Sequence, residues 1–186
     1  MDLNLPTNLT LIRIAMIPLL VVIFYMPWEA SHAISALIFV AAACTDWLDG
    51  YLARKMNQVT KFGAFLDPVA DKLMVAVVLV LIVQSEPSPY LAIPAAVIIG
   101  REITIASLRE WMAELGIRKH IEVSCFGKLK TSAQMAAISS LLYQDEILGI
   151  SMRVVGYVLL YLAVILTLWS MMNYLRAAWP AFMEHR

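Results

Sequence analysis

Charge is scarce in this chain, and what there is cancels: 14 basic residues stand against 14 acidic ones in 186, for a net charge of zero. Charged residues make up 15% of the sequence, where a soluble domain carries about 25%. The balance removes any bulk electrostatic case for a nucleic-acid partner. Cysteine is almost absent. Cys44 and Cys125 are far apart, without metal-ligand spacing, and read as small apolar residues. No basic segment opens the chain. The start, Met1-Asp2-Leu3-Asn4-Leu5-Pro6, lacks the n-region of a cleavable signal peptide, so the first apolar stretch is expected to stay in the mature protein. No internal repeat or low-complexity segment is visible.

What is abundant is hydrocarbon. Apolar residues reach 61% and mean hydropathy is +0.76, well above the roughly 45–50% apolar content of soluble domains. Spans of about 20 apolar residues cross a bilayer, and six can be read: Leu9–Met26, His32–Ala53, Phe62–Val83, Leu91–Met112, Thr131–Tyr143 and Val154–Leu175. The fifth is short and is expected to begin near Gly127. Pro27, the stretch Ser85-Glu86-Pro87-Ser88-Pro89 and Gln144-Asp145-Glu146 supply the breaks. The expected fold is therefore an all-α polytopic membrane protein with six transmembrane helices, one integral-membrane domain over residues 1–186. Basic residues favour the cytoplasmic side. Arg54, Lys55 and Lys61 follow the second span; Arg118, Lys119, Lys128 and Lys130 follow the fourth; Arg176 and Arg186 end the chain. Glu29, Glu86, Asp145 and Glu146 mark the opposite side, with Arg153 the one basic residue there. Both termini are then expected in the cytoplasm. Trp28, Tyr90, Tyr143 and Trp179 fall near span ends, as interfacial aromatics do. Gly149 and Gly156 suggest close helix packing, with a homodimer contact as one use. His32, His120 and His185 are placed in loops or tail, without chemistry.

Against this background four aspartates stand out: Asp46 and Asp49 in the second span, Asp67 and Asp71 in the third. Acids in membrane helices are costly and usually functional. Residues three and four apart share a helix face, so Asp46, Asp49, Gly50 and Ala53 form one stripe and Gly63, Asp67 and Asp71 another. A short return between Arg54 and Lys61 lets the stripes face one groove, near the cytoplasmic ends of both spans. Four close carboxylates cannot all carry charge uncompensated. All-oxygen ligation suits magnesium or manganese, and two ions about 4 Å apart can clamp the attacking and leaving oxygens of a phosphoryl displacement. Gly50 and Gly63 leave room for close approach, and Arg54 offers a planar fork to phosphate. Competing readings are a buried ion-pair network, a cation-conducting path, and an aspartate-rich prenyltransferase. The clustering of the acids at one end speaks against the second; the chain's length and the Gly-x-x-Ala-Arg segment speak against the third.

The run Asp46-x-x-Asp49-Gly50-x-x-Ala53-Arg54, then eight residues, then Gly63-x-x-x-Asp67-x-x-x-Asp71 resembles the signature of the CDP-alcohol phosphatidyltransferase family at every fixed position. The resemblance implies six helices, a CDP-linked lipid that donates its phosphatidyl group to an alcohol, and CMP as leaving group. It implies that Asp46, Asp49, Asp67 and Asp71 hold the metals, that Asp71 is also the general base, and that Gly50, Arg54, Thr60 and Gly63 line the nucleotide–pyrophosphate pocket. Pro6-Thr7-Asn8-Leu9-Thr10-Leu11-Ile12-Arg13 is similar to a second family feature, P-N-x-L-T-x-x-R, with the asparagine one place late and Thr7 in its slot. Thr7, Asn8 and Thr10 are accordingly assigned to the CDP-lipid, with helix N-capping by Thr7 or Asn8 as the alternative. Arg13 either snorkels to headgroups or pairs with the acidic groove.

The acceptor is read from the fourth span and the next loop. Arg101 and Arg109 are eight residues apart, about 80° around a helix, and Lys128 and Lys130 follow. These four are expected to bind an acceptor phosphate, with pairing to Glu102 and Glu110 as the local alternative. Segments 101–112 and 127–135 are similar to those of bacterial family members that take glycerol 3-phosphate. The resemblance thus implies CDP-diacylglycerol, sn-glycerol 3-phosphate and membrane lipids as partners, two Mg2+ or Mn2+ ions as cofactors, and a bacterial inner membrane as location. Inositol phosphate or serine remains the alternative acceptor, and a non-enzymatic cation-binding membrane protein the alternative class.

Overall fold

The computed structural model describes residues 5–56, 61–114 and 125–184, with side chains described for 7–46, 62, 63, 65–114, 131–176 and 179. Six α-helices lie within these residues: α1 (Leu5–Phe24), α2 (Ser31–Met56), α3 (Lys61–Ser85), α4 (Pro89–Glu114), α5 (Cys125–Tyr143) and α6 (Met152–Glu184). The helical class follows the reading above. Three helices among the described residues are long and apolar enough to cross a membrane, at Thr7–Phe24, Pro89–Glu114 and Met152–Arg176, and Ser31–Asp46 is a shorter apolar helix.

Several boundaries move. Helix α5 starts at Cys125, before the basic pair Lys128 and Lys130, and α6 runs on past Arg176 to Glu184. Helix α1 begins at Leu5, so Thr7 and Asn8 lie inside its first turns and the N-capping alternative falls. His32 sits in the first turn of α2, not in a loop, its ring edge-on to Phe24 at 5.4 Å. His120 and His185 lie outside the described residues. Between α5 and α6 the chain forms a hairpin the sequence reading did not foresee, β1 (Glu146–Ile147) and β2 (Ile150–Ser151), paired Glu146 to Ser151 and Ile147 to Ile150. Its two-residue turn has φ of 54° at Leu148 and 78° at Gly149. Positive φ at both positions matches the twist of a hairpin, and Gly149 therefore serves a turn rather than helix packing. Leu148 accepts the less favoured conformation with its side chain 97% exposed.

The interior is a continuous apolar cluster. Leu20 and Phe24 of α1, Phe39 of α2, Val78 and Ile82 of α3, Ile98 of α4, Leu142 of α5 and Leu160 of α6 are all within it. The outer faces carry Leu37, Val80, Ile93, Val158, Ile165 and Trp169, all exposed, and large apolar side chains on the outside suit an apolar environment. Helix α1 packs along both α2 and α3, which touch little among the described residues, while α5 packs most extensively on α6 and also on α2. At the end away from the aspartates, α6 is tied to α3 and α4. Tyr157 donates to Glu86 Oε1 at 2.9 Å, Arg153 pairs with the same carboxylate, and Tyr161 donates to the Tyr90 carbonyl at 3.1 Å.

Gly156 is the close-approach glycine of the α5–α6 contact. A Cβ there would meet Leu141 Cγ at 2.6 Å and the Leu141 backbone nitrogen at 3.1 Å. The contact lies within one chain, so this glycine is accounted for without a dimer. Overpacking costs about 1–3 kcal/mol, and alanine recovers about 1 kcal/mol of helix propensity. Alanine is therefore a close contest. Valine adds bulk at the same contact without that compensation, and Gly156→Val is expected to lower Tm on the order of 5 °C, measured by thermal unfolding in detergent.

Candidate active site

The site is built on α1, α2 and α3. On α1 the polar residues Thr7, Thr10 and Arg13 recur every third position and continue into Ile17, Leu20 and Phe24. This is one buried stripe, with Thr7 2%, Thr10 3% and Arg13 1% exposed. Asn8, one residue on, is exposed. A buried arginine in an apolar helix requires anionic partners, and both neighbours provide them. Arg13 Nη1 lies 2.8 Å from Asp46 Oδ1 of α2 and 3.1 Å from Asp67 Oδ1 of α3. Of the two roles read for Arg13, the structure selects pairing with the acidic groove.

Asp46 and Asp67 thus meet on a single nitrogen. Their other edges are open, each side chain being roughly two-fifths exposed. The preceding Thr45 closes its hydroxyl back on the Ala41 carbonyl, so it does not compete for Asp46. Asp71 follows Asp67 by four residues, one turn deeper in α3, with the buried Ala70 beside it. It lies within electrostatic reach of Asp46, Asp67 and Arg13, and also of Glu102 on α4. A small cavity is lined by Arg13 and Asp71 together with Phe39, Ala43, Met74 and Met135. Through Ala43 and Met135 it adjoins an apolar groove of about 340 Å³ between α2 and α5, lined also by Val40, Cys44, Ala136 and Ser139. Carboxylates and hydrocarbon are therefore neighbours here.

The donor set is all oxygen, which fits a hard divalent cation. Among the described residues no three acidic, cysteine or histidine side chains converge on one point; Asp46 and Asp67 are the pair that does come together. Asp49, Gly50 and Arg54 lie on α2, and Lys128 and Lys130 on α5, with side chains outside the described set; Thr60 lies outside the described residues altogether. Gly63 is on the first turn of α3, partly buried.

On α4 the two arginines part company. Arg101 is 8% exposed and pairs with the adjacent Glu102, while its Nε has no hydrogen-bond partner among the described residues. Arg109 is exposed, and its guanidinium carbon lies 5.6 Å from the Tyr174 ring centre on α6, a cation–π contact. Arg101 faces inward with capacity to spare; Arg109 is already engaged. Glu102 is the residue the sequence reading undervalued. Besides pairing with Arg101, it is near enough for its charge to act on Asp71.

Comparison with known proteins identifies the family. Residues 3–169 match the family model described as CDP-alcohol phosphatidyltransferase. The chain is 52% identical over 184 residues to a protein of Yersinia pestis (strain Pestoides F), covering 99% of this chain and 100% of that one. It is 53% identical over 178 residues to a protein of Salmonella choleraesuis (strain SC-B67), covering 96% of each. A Yersinia enterocolitica relative is 50% identical over 184 residues. All three are named CDP-diacylglycerol–glycerol-3-phosphate 3-phosphatidyltransferase.

Proposed function

The chain belongs to the CDP-alcohol phosphatidyltransferase family, and from that premise we propose that it transfers the phosphatidyl group of CDP-diacylglycerol to sn-glycerol 3-phosphate. The acceptor hydroxyl oxygen forms a bond to the lipid-side phosphorus, the pyrophosphate P–O bond breaks, and CMP leaves with the bridging oxygen. The products are phosphatidylglycerol phosphate and CMP. One observation carries the reading: carboxylates of α2 and α3 meet beside an apolar groove that suits an acyl chain.

Asp46, Asp49, Asp67 and Asp71 would hold two magnesium or manganese ions, which when bound neutralise the pyrophosphate and stabilise the leaving CMP. Asp71, the deepest of the described acids, takes the proton of the attacking hydroxyl. Thr7, Asn8, Thr10, Gly50, Arg54, Thr60 and Gly63 are assigned to the CDP-lipid; the buried threonines on the Arg13 stripe support the first part of that set. Arg101 binds the acceptor phosphate, supported by its burial and its unused Nε, with Lys128 and Lys130 as its partners from α5. Arg109 contributes less, because Tyr174 already holds it. The site opens to the cytoplasm in this proposal, and the chain is a single six-span domain of the bacterial inner membrane with both termini inside. The distribution of lysine and arginine supports that orientation.

The test is direct. Protein in detergent micelles receives CDP-diacylglycerol and glycerol 3-phosphate with Mg2+ or Mn2+, and CMP release is followed. Turnover that stops with chelator is expected. Turnover with serine or inositol phosphate alone would reassign the acceptor, and none with any alcohol would end the enzymatic reading.

A further inference from the structure

Helices α2 and α3 carry the acids and touch little among the described residues; α1 packs on both, and its one buried cation touches a carboxylate of each. Nothing else described on α1 is charged. Two carboxylates held this close repel each other, and the buried Arg13 between them requires anionic partners. We infer that Arg13 is a built-in cation that neutralises and spaces Asp46 and Asp67, a positioning residue that competes with divalent ions for the same two carboxylates. The inference rests on the metal-binding reading above and goes beyond it.

The distances support competition rather than simple support. Magnesium takes oxygen at about 2.0–2.1 Å, closer than either guanidinium contact. One nitrogen already fills the point between the two oxygens. An ion bridging these two oxygens would have to draw them off Nη1, and one held on the open outer edges would still meet the positive charge of Arg13, which opposes the incoming cation.

Mn2+ binding to the full chain in detergent, read from the free-ion EPR signal, tests this without relying on turnover. Arg13→Gln removes the charge and keeps polar reach. It is expected to lower Tm in EDTA by roughly 10 °C and to bind Mn2+ on the order of tenfold more tightly than the parent, so that Mn2+ restores most of the lost Tm. Arg13→Lys keeps the charge but lacks the planar fork that serves both carboxylates, and is expected to bind Mn2+ about two- to threefold more tightly. Equal Tm losses with and without Mn2+, together with unchanged or weaker affinity, would make Arg13 purely structural and overturn the inference. Should Arg13→Gln not fold in either condition, Arg13→Lys decides: tighter Mn2+ binding upholds the competition, and parental or weaker binding overturns it. Absence of Mn2+ binding by the parent protein would defeat the metal site itself, and this inference with it.

Discussion

Asp71→Asn is expected to reduce CMP release by about 10²–10⁴-fold, the range of a lost general base, while CDP-diacylglycerol still binds. The reason lies in its position. Asp46 and Asp67 are held at the mouth of the groove by Arg13, but Asp71 sits one turn further in, at the wall of the small cavity shared by α1, α2, α3 and α5. Asparagine preserves the shape and one carbonyl oxygen, so the cavity does not collapse. It cannot take a proton. The measurement pairs single-turnover CMP release with nucleotide-lipid binding on the same preparation. Turnover near the parental rate would remove Asp71 as the base; loss of binding and turnover in parallel would make it chiefly a ligand-holding residue.

Arg101→Ala should raise KM for glycerol 3-phosphate on the order of 10²-fold, with KM for the lipid nearly unchanged. Removing one partner of a buried charged hydrogen bond costs about 3–5 kcal/mol, and each 1.4 kcal/mol is a factor of ten in affinity. Competition from Glu102, which already occupies part of the guanidinium, takes the expectation to the lower end. Arg109→Ala is the control: exposed, and stacked on Tyr174, it should change the acceptor KM by no more than a few fold. Steady-state kinetics with each substrate varied in turn separate these outcomes. Parallel rises in both KM values for Arg101→Ala would make that residue a structural partner of Glu102 instead.

The acids were legible because they break the apolar background at helical intervals, and local spacing alone puts Asp67 and Asp71 on one face. The partner of Arg13 was not legible. Whether that guanidinium reached headgroups or carboxylates depends on α1 packing along α2 and α3, which no local pattern encodes. The start of α5, expected near Gly127, lies two residues earlier at Cys125. Lys128 and Lys130 read as loop residues because charge lowers hydropathy there, yet they belong to the first turns of the helix. The hairpin after α5 escaped because its turn uses Leu148 where asparagine normally announces positive φ. Arg101 and Arg109 looked equivalent by periodicity and were separated only by what packs against each, Glu102 in one case and Tyr174 in the other.

The first helix has the most generic composition in the molecule and the most exacting phase. Each residue advances a helix by about 100°, so inserting or deleting one position between Thr10 and Arg13 would swing both Thr7 and Thr10 away from the arginine. Hydropathy would be unchanged and membrane insertion would proceed. Engineers who treat this segment as an interchangeable anchor would obtain a protein that reaches the bilayer and lacks its chemistry.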